Sequence, residues 1–325
     1  MKAMPLEKRG ISTSRVVFGC MGIGGGWNHD PLTKEDYTIA EAAVEAALSI
    51  GITMFDHADI YKKGKSESVF GQILKNRPDL RDQIVLQSKC GIRQSDGVLP
   101  GRYDFSKSHI LSSVDGILER LGVEHLDVLL LHRPDPLMEP DEVAEAFTQL
   151  KTSGKVRHFG VSNMTASQIR FLQRSIAEPL VVNQLEMSLA RTDWLDQGIL
   201  VNHKEGVTIN FADGIMEHAQ MENIQVQAWG PLAQGIYSGK SLDNATNAEK
   251  QTAALVQQMA IEKETTPESI VLGWLMKHPA YIQPVIGTSS AERVLACKDA
   301  VRISELLSRE EWYALFEKSR GHQIP

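Results

Sequence analysis

Short apolar runs rich in β-branched residues alternate along this chain with longer stretches in which apolar residues return every three or four positions. The first kind suits strands buried on both faces, and the second suits amphipathic helices. Eight strands are predicted: 15–19 (RVVFG), 52–55 (ITMF), 84–88 (IVLQS), 127–131 (DVLLL), 156–161 (VRHFGV), 180–183 (LVVN), 225–229 (QVQAW) and 284–286 (PVI). Between the first two, Thr33 can cap a helix whose apolar positions Ala40, Val44, Ala47 and Leu48 share one face, and Gly51 can close it. The same periodicity predicts helices over 65–74, 107–121, 140–152, 165–174, 248–263, 267–277 and 308–319. From 194 to 221, Gly198, Gly206 and Gly214 interrupt the period, which predicts a loop-rich crossover with one short helix near 214–221.

Strands separated by helices are the pattern that a parallel sheet with crossover connections leaves in sequence. Eight such units favour an α/β fold of the (β/α)8 TIM-barrel type, with a C-terminal helix and a loop-rich sixth crossover. An open doubly wound sheet is the alternative that periodicity alone leaves standing. No Pro/Gly/Ser-rich linker, charge block or fixed-period repeat divides the 325 residues, so one domain over 1–325 is expected.

Composition narrows the partners. A net charge of −7 gives no general basis for gripping a polyanion, so no nucleic-acid partner is expected. The three cysteines, Cys20, Cys90 and Cys297, are far apart and lack ligand spacing. That argues against a disulfide framework or zinc site and for a reducing compartment. The opening MKAMPLEKRG lacks the apolar core of a signal peptide, and no later segment approaches the roughly 20 apolar residues that span a bilayer. A soluble, cytoplasmic protein without membrane attachment is expected.

Polar residues gather at one end of the predicted strands. Asp56 follows ITMF, Lys89 follows IVLQS, His132 follows DVLLL, and Ser162–Asn163, Gln184 and Gly287 follow three others. In a parallel barrel these ends share one rim, where barrel active sites are built, and Tyr61 lies in the second loop of that rim. Taken singly each residue has a bland explanation: Asp56 and Lys89 as a structural ion pair, His132 as a core histidine, Tyr61 as a surface aromatic. Their joint placement favours chemistry.

The segment FDHADIYKKGKSESVFG resembles the Asp…Tyr…Gly…Glu…Gly signature of the aldo-keto reductase superfamily. LQSKC, LLLHRPDP, GKVRHFGVSN, NQLEMS, AWGPLAQG and PVIGTSSAERV continue the resemblance in order over nearly the whole chain, and HADIY and HRPDPLM resemble a bacterial branch of oxidoreductases. The resemblance implies a tetrad of Asp56, Tyr61, Lys89 and His132 that reduces a small-molecule carbonyl substrate. A hydride reaching the carbonyl carbon leaves charge on oxygen, which a proton must meet. Tyr61 would supply that proton. Lys89 would lower the phenol's pKa from about 10, Asp56 would hold Lys89, and His132 would orient the oxygen. Whether His132 also relays a proton stays open at this level.

With no covalent nucleophile or metal set, the reducing equivalents must come from a cofactor, and the resemblance implies NADPH, with NADH not excluded. Ser162, Asn163 and Gln184 would bond the nicotinamide carboxamide, Trp229 would stack on the ring, and Pro231, Leu232 and Gly235 would line the pyrophosphate path. Two positions depart from the family pattern: Gly230 stands where many members have Ser, and Gly287, Thr288 and Ser289 stand where many have a Lys. Backbone contacts at Gly230 and Gly287 would remain, and Ser289 and Arg293 would meet the 2′-phosphate.

Gly22, Gly24, Gly25 and Gly26 do not fit GxGxxG, because Trp27 occupies the third glycine's position; they are expected to form a flexible rim loop that can touch the cofactor. A different function for the same cofactor site is an NADPH-binding regulatory or redox-sensing subunit with little turnover. A barrel hydrolase or isomerase using His132 and Asp56 is a remoter alternative. Substrate choice is expected to lie in the loops 133–138 and 234–247 and the tail 320–325.

Overall fold

In a computed structural model of the protein, which describes residues 3–325, all eight predicted strands form. They are β1 (Val17–Gly19), β2 (Met54–Asp56), β3 (Val85–Cys90), β4 (Leu126–Leu131), β5 (Val156–Ser162), β6 (Leu180–Glu186), β7 (Gln225–Trp229) and β8 (Gln283–Ile286). Each pairs in parallel with its neighbours in sequence, and β1 pairs with both β2 and β8, which closes the barrel and excludes the open sheet. The register sets Gly19 beside Asp56, Asp56 beside Gln87, Ser162 beside Gln184 and Glu186 beside Trp229. The polar strand ends therefore do meet on one rim.

Several strands end later than their apolar runs. β3 takes in Lys89, β5 takes in Ser162 and β6 continues through Gln184 to Glu186. Pairing with a neighbour satisfies the backbone whatever the side chain, so these polar residues stay in strand geometry instead of opening the loop. At the opposite end, Leu6 from a short helix, Pro5–Lys8, joins Val17, Met54, Val128, Leu130, Val181, Val182 and Val285 in an apolar plug inside the barrel. A larger apolar layer lies between the strands and the surrounding helices.

Most helices fall where the period places them. Lys34–Ser49 starts with a capping box between Thr33 and Asp36, and Gly51 follows its end at φ +82°, a conformation that favours glycine. Lys107–Leu121 and Pro140–Thr152 match their predicted bounds. The sixth crossover corrects its prediction in part. A helix does form at Ile215–Met221, but a second one, Asp193–Ile199, and a 3-10 turn, Lys204–Thr208, form as well. Gly198 does not stop the first of these because Trp194 is buried edge-on against Trp274, with ring centroids 5.8 Å apart. Tertiary packing outweighs the helix-weakening glycine there. A small hairpin pairing Ile92–Arg93 with Arg102–Tyr103, and the helix Ala300–Leu306, were not predicted, and a short helix, Ala291–Leu295, carries Arg293 in its first turn. The C-terminal helix Arg309–Arg320 docks by stacking Trp312 on Trp274 at 5.1 Å. Among the described residues no helix is long and apolar enough to cross a membrane.

Candidate active site

Asp56 ends β2, Lys89 is the fifth residue of β3 and His132 follows β4 directly, so three adjacent strands aim three polar groups at one point. Tyr61 arrives from the loop after β2. That loop is tied down by backbone bonds: His57 N–H donates to the Gln87 carbonyl at 2.8 Å and Asp59 N–H to the Lys89 carbonyl at 3.0 Å. Lys62 and Lys63 then take left-handed conformations, φ 52° and 60°, which are uncommon for side chains of their size and turn the chain back into the helix Lys65–Asn76. Lys89 is fully buried, and Nζ donates to Asp56 Oδ2 at 2.7 Å, to the His57 carbonyl at 2.9 Å and to Tyr61 Oη at 2.9 Å. All three donors of the ammonium are thus spent. The His132 ring meets the Tyr61 ring edge-on at 5.9 Å.

The other side of the rim is built from neutral groups that bond to one another. Ser162 Oγ donates to the Gln184 carbonyl at 2.9 Å, Asn163 Nδ2 donates to Ser162 Oγ at 2.7 Å, and Trp229 Nε1 donates to Asn163 Oδ1 at 3.1 Å. Asn163 holds φ 58°, which brings its amide over the strand end. A cavity of about 970 Å³ runs from Tyr61 and His132 past Ser162, Asn163, Gln184 and Trp229 to Gly230, Pro231, Leu232 and Gly235, and on to Gly287, Thr288 and Arg293. Ser289 is not part of that wall; it packs beside Gly22 instead. Gly230 and Gly235 lie at φ 65° and 82°, so a serine at 230 would be strained, a backbone reason for the glycine.

The aldo/keto reductase family model matches residues 15–319. The chain belongs to that family. It is 37% identical to the uncharacterized oxidoreductase YcsN of Bacillus subtilis over 97% of each chain. It is 34% identical to a 6-dehydroglucose reductase of Agrobacterium fabrum, again over 97% of each. An aldo-keto reductase from Klebsiella pneumoniae solved with NADPH superposes with a TM-score of 0.71 at 23% identity, covering 96% of this chain and 92% of that one, which is a likeness of fold. As an aldo/keto reductase the chain is an oxidoreductase.

In this aldo/keto reductase the electrostatics of the site differ from the expectation for Tyr61. Burial pushes the phenol up and the Lys89 charge pulls it down, and the balance stays above the ordinary value. Lys89 limits the rise without reversing it, so the phenol keeps its proton throughout the neutral range. Burial works against the Lys89 charge, yet Asp56 and Tyr61 outweigh it and hold that pKa above normal. His132 is pushed down to about 2 by burial, with Lys89 and Arg133 adding to the effect, so its imidazole is neutral. A neutral imidazole can donate one hydrogen bond but has no spare proton to give.

Three other features went unseen or were misread in the sequence. The glycine-rich loop packs closely: a Cβ on Gly24 would lie 2.6 Å from Ser66 N, so the loop lies against the start of a helix, and Met21 and Trp27 at its two ends line the cavity. Gln87 and Gln227 are fully buried beneath the tetrad, and Gln87 Nε2 donates to Asp56 Oδ1 at 2.6 Å. A glutamine in the middle of an otherwise apolar strand, as in IVLQS and QVQAW, was the signal for them. Arg133 lines the mouth with its guanidinium 5.7 Å from the Trp229 ring, and a second cavity of about 350 Å³ opens there between Arg133, Glu186, Arg191 and Asn210.

Proposed function

We propose that this chain, acting as one unit, reduces aldehydes and ketones to alcohols with NADPH, and that Asp56, Tyr61, Lys89 and His132 are its catalytic residues. The observation that carries the reading is the fully buried Lys89 ammonium bonded at once to Asp56 and to the Tyr61 hydroxyl at the inner end of a long cavity. The residues present suit the cofactor. The inner end offers the hydroxyl and amides of Ser162, Asn163 and Gln184 beside the Trp229 ring, and the outer end offers Arg293, whose side chain has no acceptor among the described residues. The cavity volume is at the upper end of the range for ligand sites.

The bound cofactor would supply a hydride to the carbonyl carbon. Tyr61 gives its proton to the carbonyl oxygen, and the Lys89 ammonium, 2.9 Å away, stabilises the phenolate left behind. Asp56 keeps Lys89 charged and in place. His132, neutral, donates a hydrogen bond to the oxygen and orients it; the burial that keeps its imidazole unprotonated supports Tyr61 as the proton source. Ser162, Asn163 and Gln184 would hold the carboxamide, Trp229 would cover the ring, Gly230, Pro231, Leu232 and Gly235 would line the pyrophosphate, and Gly287, Thr288 and Arg293 would meet the 2′-phosphate. Ser289, the neighbour of Thr288, packs beside Gly22.

The mouth is polar, with Arg133, Glu186, Arg191 and Asn210, which favours a hydroxylated aldehyde over an apolar one, in keeping with the 6-dehydroglucose reductase at 34% identity. Three free, buried cysteines support a cytoplasmic location. The test is oxidation of NADPH and NADH followed with a panel of hydroxylated and apolar aldehydes and ketones. Turnover with NADPH and hydroxylated aldehydes is expected. Firm NADPH binding with no turnover of any carbonyl would replace this reading with the regulatory-subunit one.

A further inference from the structure

Gln87, Gln227 and Gln283 lie fully buried inside the barrel, where branched apolar side chains normally fill the layers. They form one bonded chain. Gln87 Nε2 donates to Asp56 Oδ1 at 2.6 Å and to Gln227 Oε1 at 2.8 Å. Gln227 Oε1 accepts a second bond, from Gln184 Nε2 at 3.0 Å, and Gln227 Nε2 donates to Gln283 Oε1 at 3.0 Å. The chain ends where Gln283 Nε2 donates to the Ser14 carbonyl at 2.5 Å.

The two ends dictate every direction between them. Asp56, ion-paired with Lys89, presents only acceptors to its neighbours, so Gln87 must turn its NH2 toward it. The Ser14 carbonyl also only accepts, so Gln283 must give it the NH2 and offer its oxygen to Gln227. Both demands set Gln227 the same way, Nε2 toward Gln283 and Oε1 toward Gln87. Gln184 can meet that oxygen only with its own NH2, which leaves the Gln184 oxygen for the cavity that Gln184 lines. The arrangement has a visible cost: Gln87 Oε1 is buried without a partner.

We infer that Gln227, oriented through Gln87 and Gln283, is a positioning residue that turns the Gln184 amide so that its oxygen faces the cofactor cavity as an acceptor for the nicotinamide carboxamide NH2. This rests on the cofactor reading above, and it ties the nicotinamide site to the same carboxylate that holds Lys89. A neutral ring amide is thereby recognised by a group whose orientation a buried charge sets from across the barrel.

The test is a double-mutant cycle on NADPH affinity, read by fluorescence titration of wild type, Gln227→Met, Gln184→Met and the double variant. Each single change is expected to weaken NADPH roughly 3- to 10-fold, the worth of one hydrogen bond, with the double variant no weaker than Gln184→Met alone. In turnover the Gln227→Met loss should appear in KM for NADPH, with kcat changed less than about twofold, because Gln87 still bonds Asp56. Losses that multiply, or a Gln227→Met protein that binds as wild type does, would overturn the positioning role while leaving the cofactor reading intact. Wild type that binds no NADPH would overturn both. If Gln227→Met does not fold, Gln227→Asn, one methylene shorter, keeps an amide in the barrel but withdraws its oxygen from Gln184 Nε2 and should weaken NADPH in the same sense, and unchanged affinity there would sink the idea.

Discussion

On the side of the rim formed by β2, β3 and β4 lies a buried, bonded charge pair: Lys89 has no exposed surface and spends its three donors on Asp56, His57 and Tyr61. On the side formed by β5 to β8 the groups are neutral, and Ser162, Asn163 and Trp229 bond one another at 2.7 to 3.1 Å along the cavity wall. The difference follows from what burial does to each kind of group. An ammonium taken out of water must be compensated when the chain folds, since leaving it unpaired would cost several kcal/mol. A hydroxyl or amide can exchange one neutral hydrogen bond for another at a net change of about 1 kcal/mol, so that side can wait for a ligand. The half proposed for acid-base chemistry is thus bonded in advance, while the half proposed for cofactor binding is held by neutral bonds that a ligand can exchange.

Lys89→Met strikes the complete half hardest. It leaves Asp56 buried without its cation, so stability should fall by about 3–5 kcal/mol in chemical denaturation. Carbonyl reduction should drop by at least the roughly 10²- to 10⁴-fold that general-acid catalysis contributes. Reduction needs protonated Tyr61 and fails as pH rises through the phenol's pKa. Without the Lys89 charge that pKa climbs further, so the alkaline limb of the pH–rate profile should move to higher pH. Full activity with an unmoved limb would show that the two groups are not coupled.

Tyr61→Phe removes the proposed proton donor without touching the ion pair. kcat should fall by roughly 10²- to 10⁴-fold, with NADPH affinity nearly unchanged. Retention of more than about half of the wild-type kcat would move the acid elsewhere and blur the division between the halves.

Arg293→Ala tests the binding half alone. Loss of one charge-assisted contact should weaken NADPH by about one to two decades and leave NADH nearly untouched, because only NADPH carries the 2′-phosphate. Parallel titrations read the difference directly, and equal losses for both cofactors would take Arg293 out of the phosphate site.

The smallest effect concerns a group behind the tetrad. Burial, with Glu67 nearby, raises the Asp59 carboxyl from 3.8 to about 7. The folded state then holds a proton that the unfolded chain has released, so stability is full below the unfolded pKa and declines as pH rises toward 7. Asp59→Asn should flatten that decline in denaturation midpoints measured between about pH 4 and 7. An unchanged slope would show that Asp59 is not the group responsible.

Much of this molecule was written in local pattern. Apolar runs located all eight strands, since a strand buried on both faces must be apolar, and the period located Lys107–Leu121 and Pro140–Thr152 to the residue. Polar residues after those runs marked one rim, because parallel strands all end on the same side. Tertiary structure decided what no local signal carries. Barrel closure required β1 to find β8 from across the chain. Pairing, not hydropathy, carried Lys89 and Gln184 into their strands. The helix at Asp193–Ile199 exists through the burial of Trp194, although Gly198 weakens it. The direction of the Tyr61 shift depended on how much water the fold removes from a phenol, set against one ammonium 2.9 Å away. Desolvation and long-range pairing both depend on residues distant in sequence, and so they belong to the structure alone.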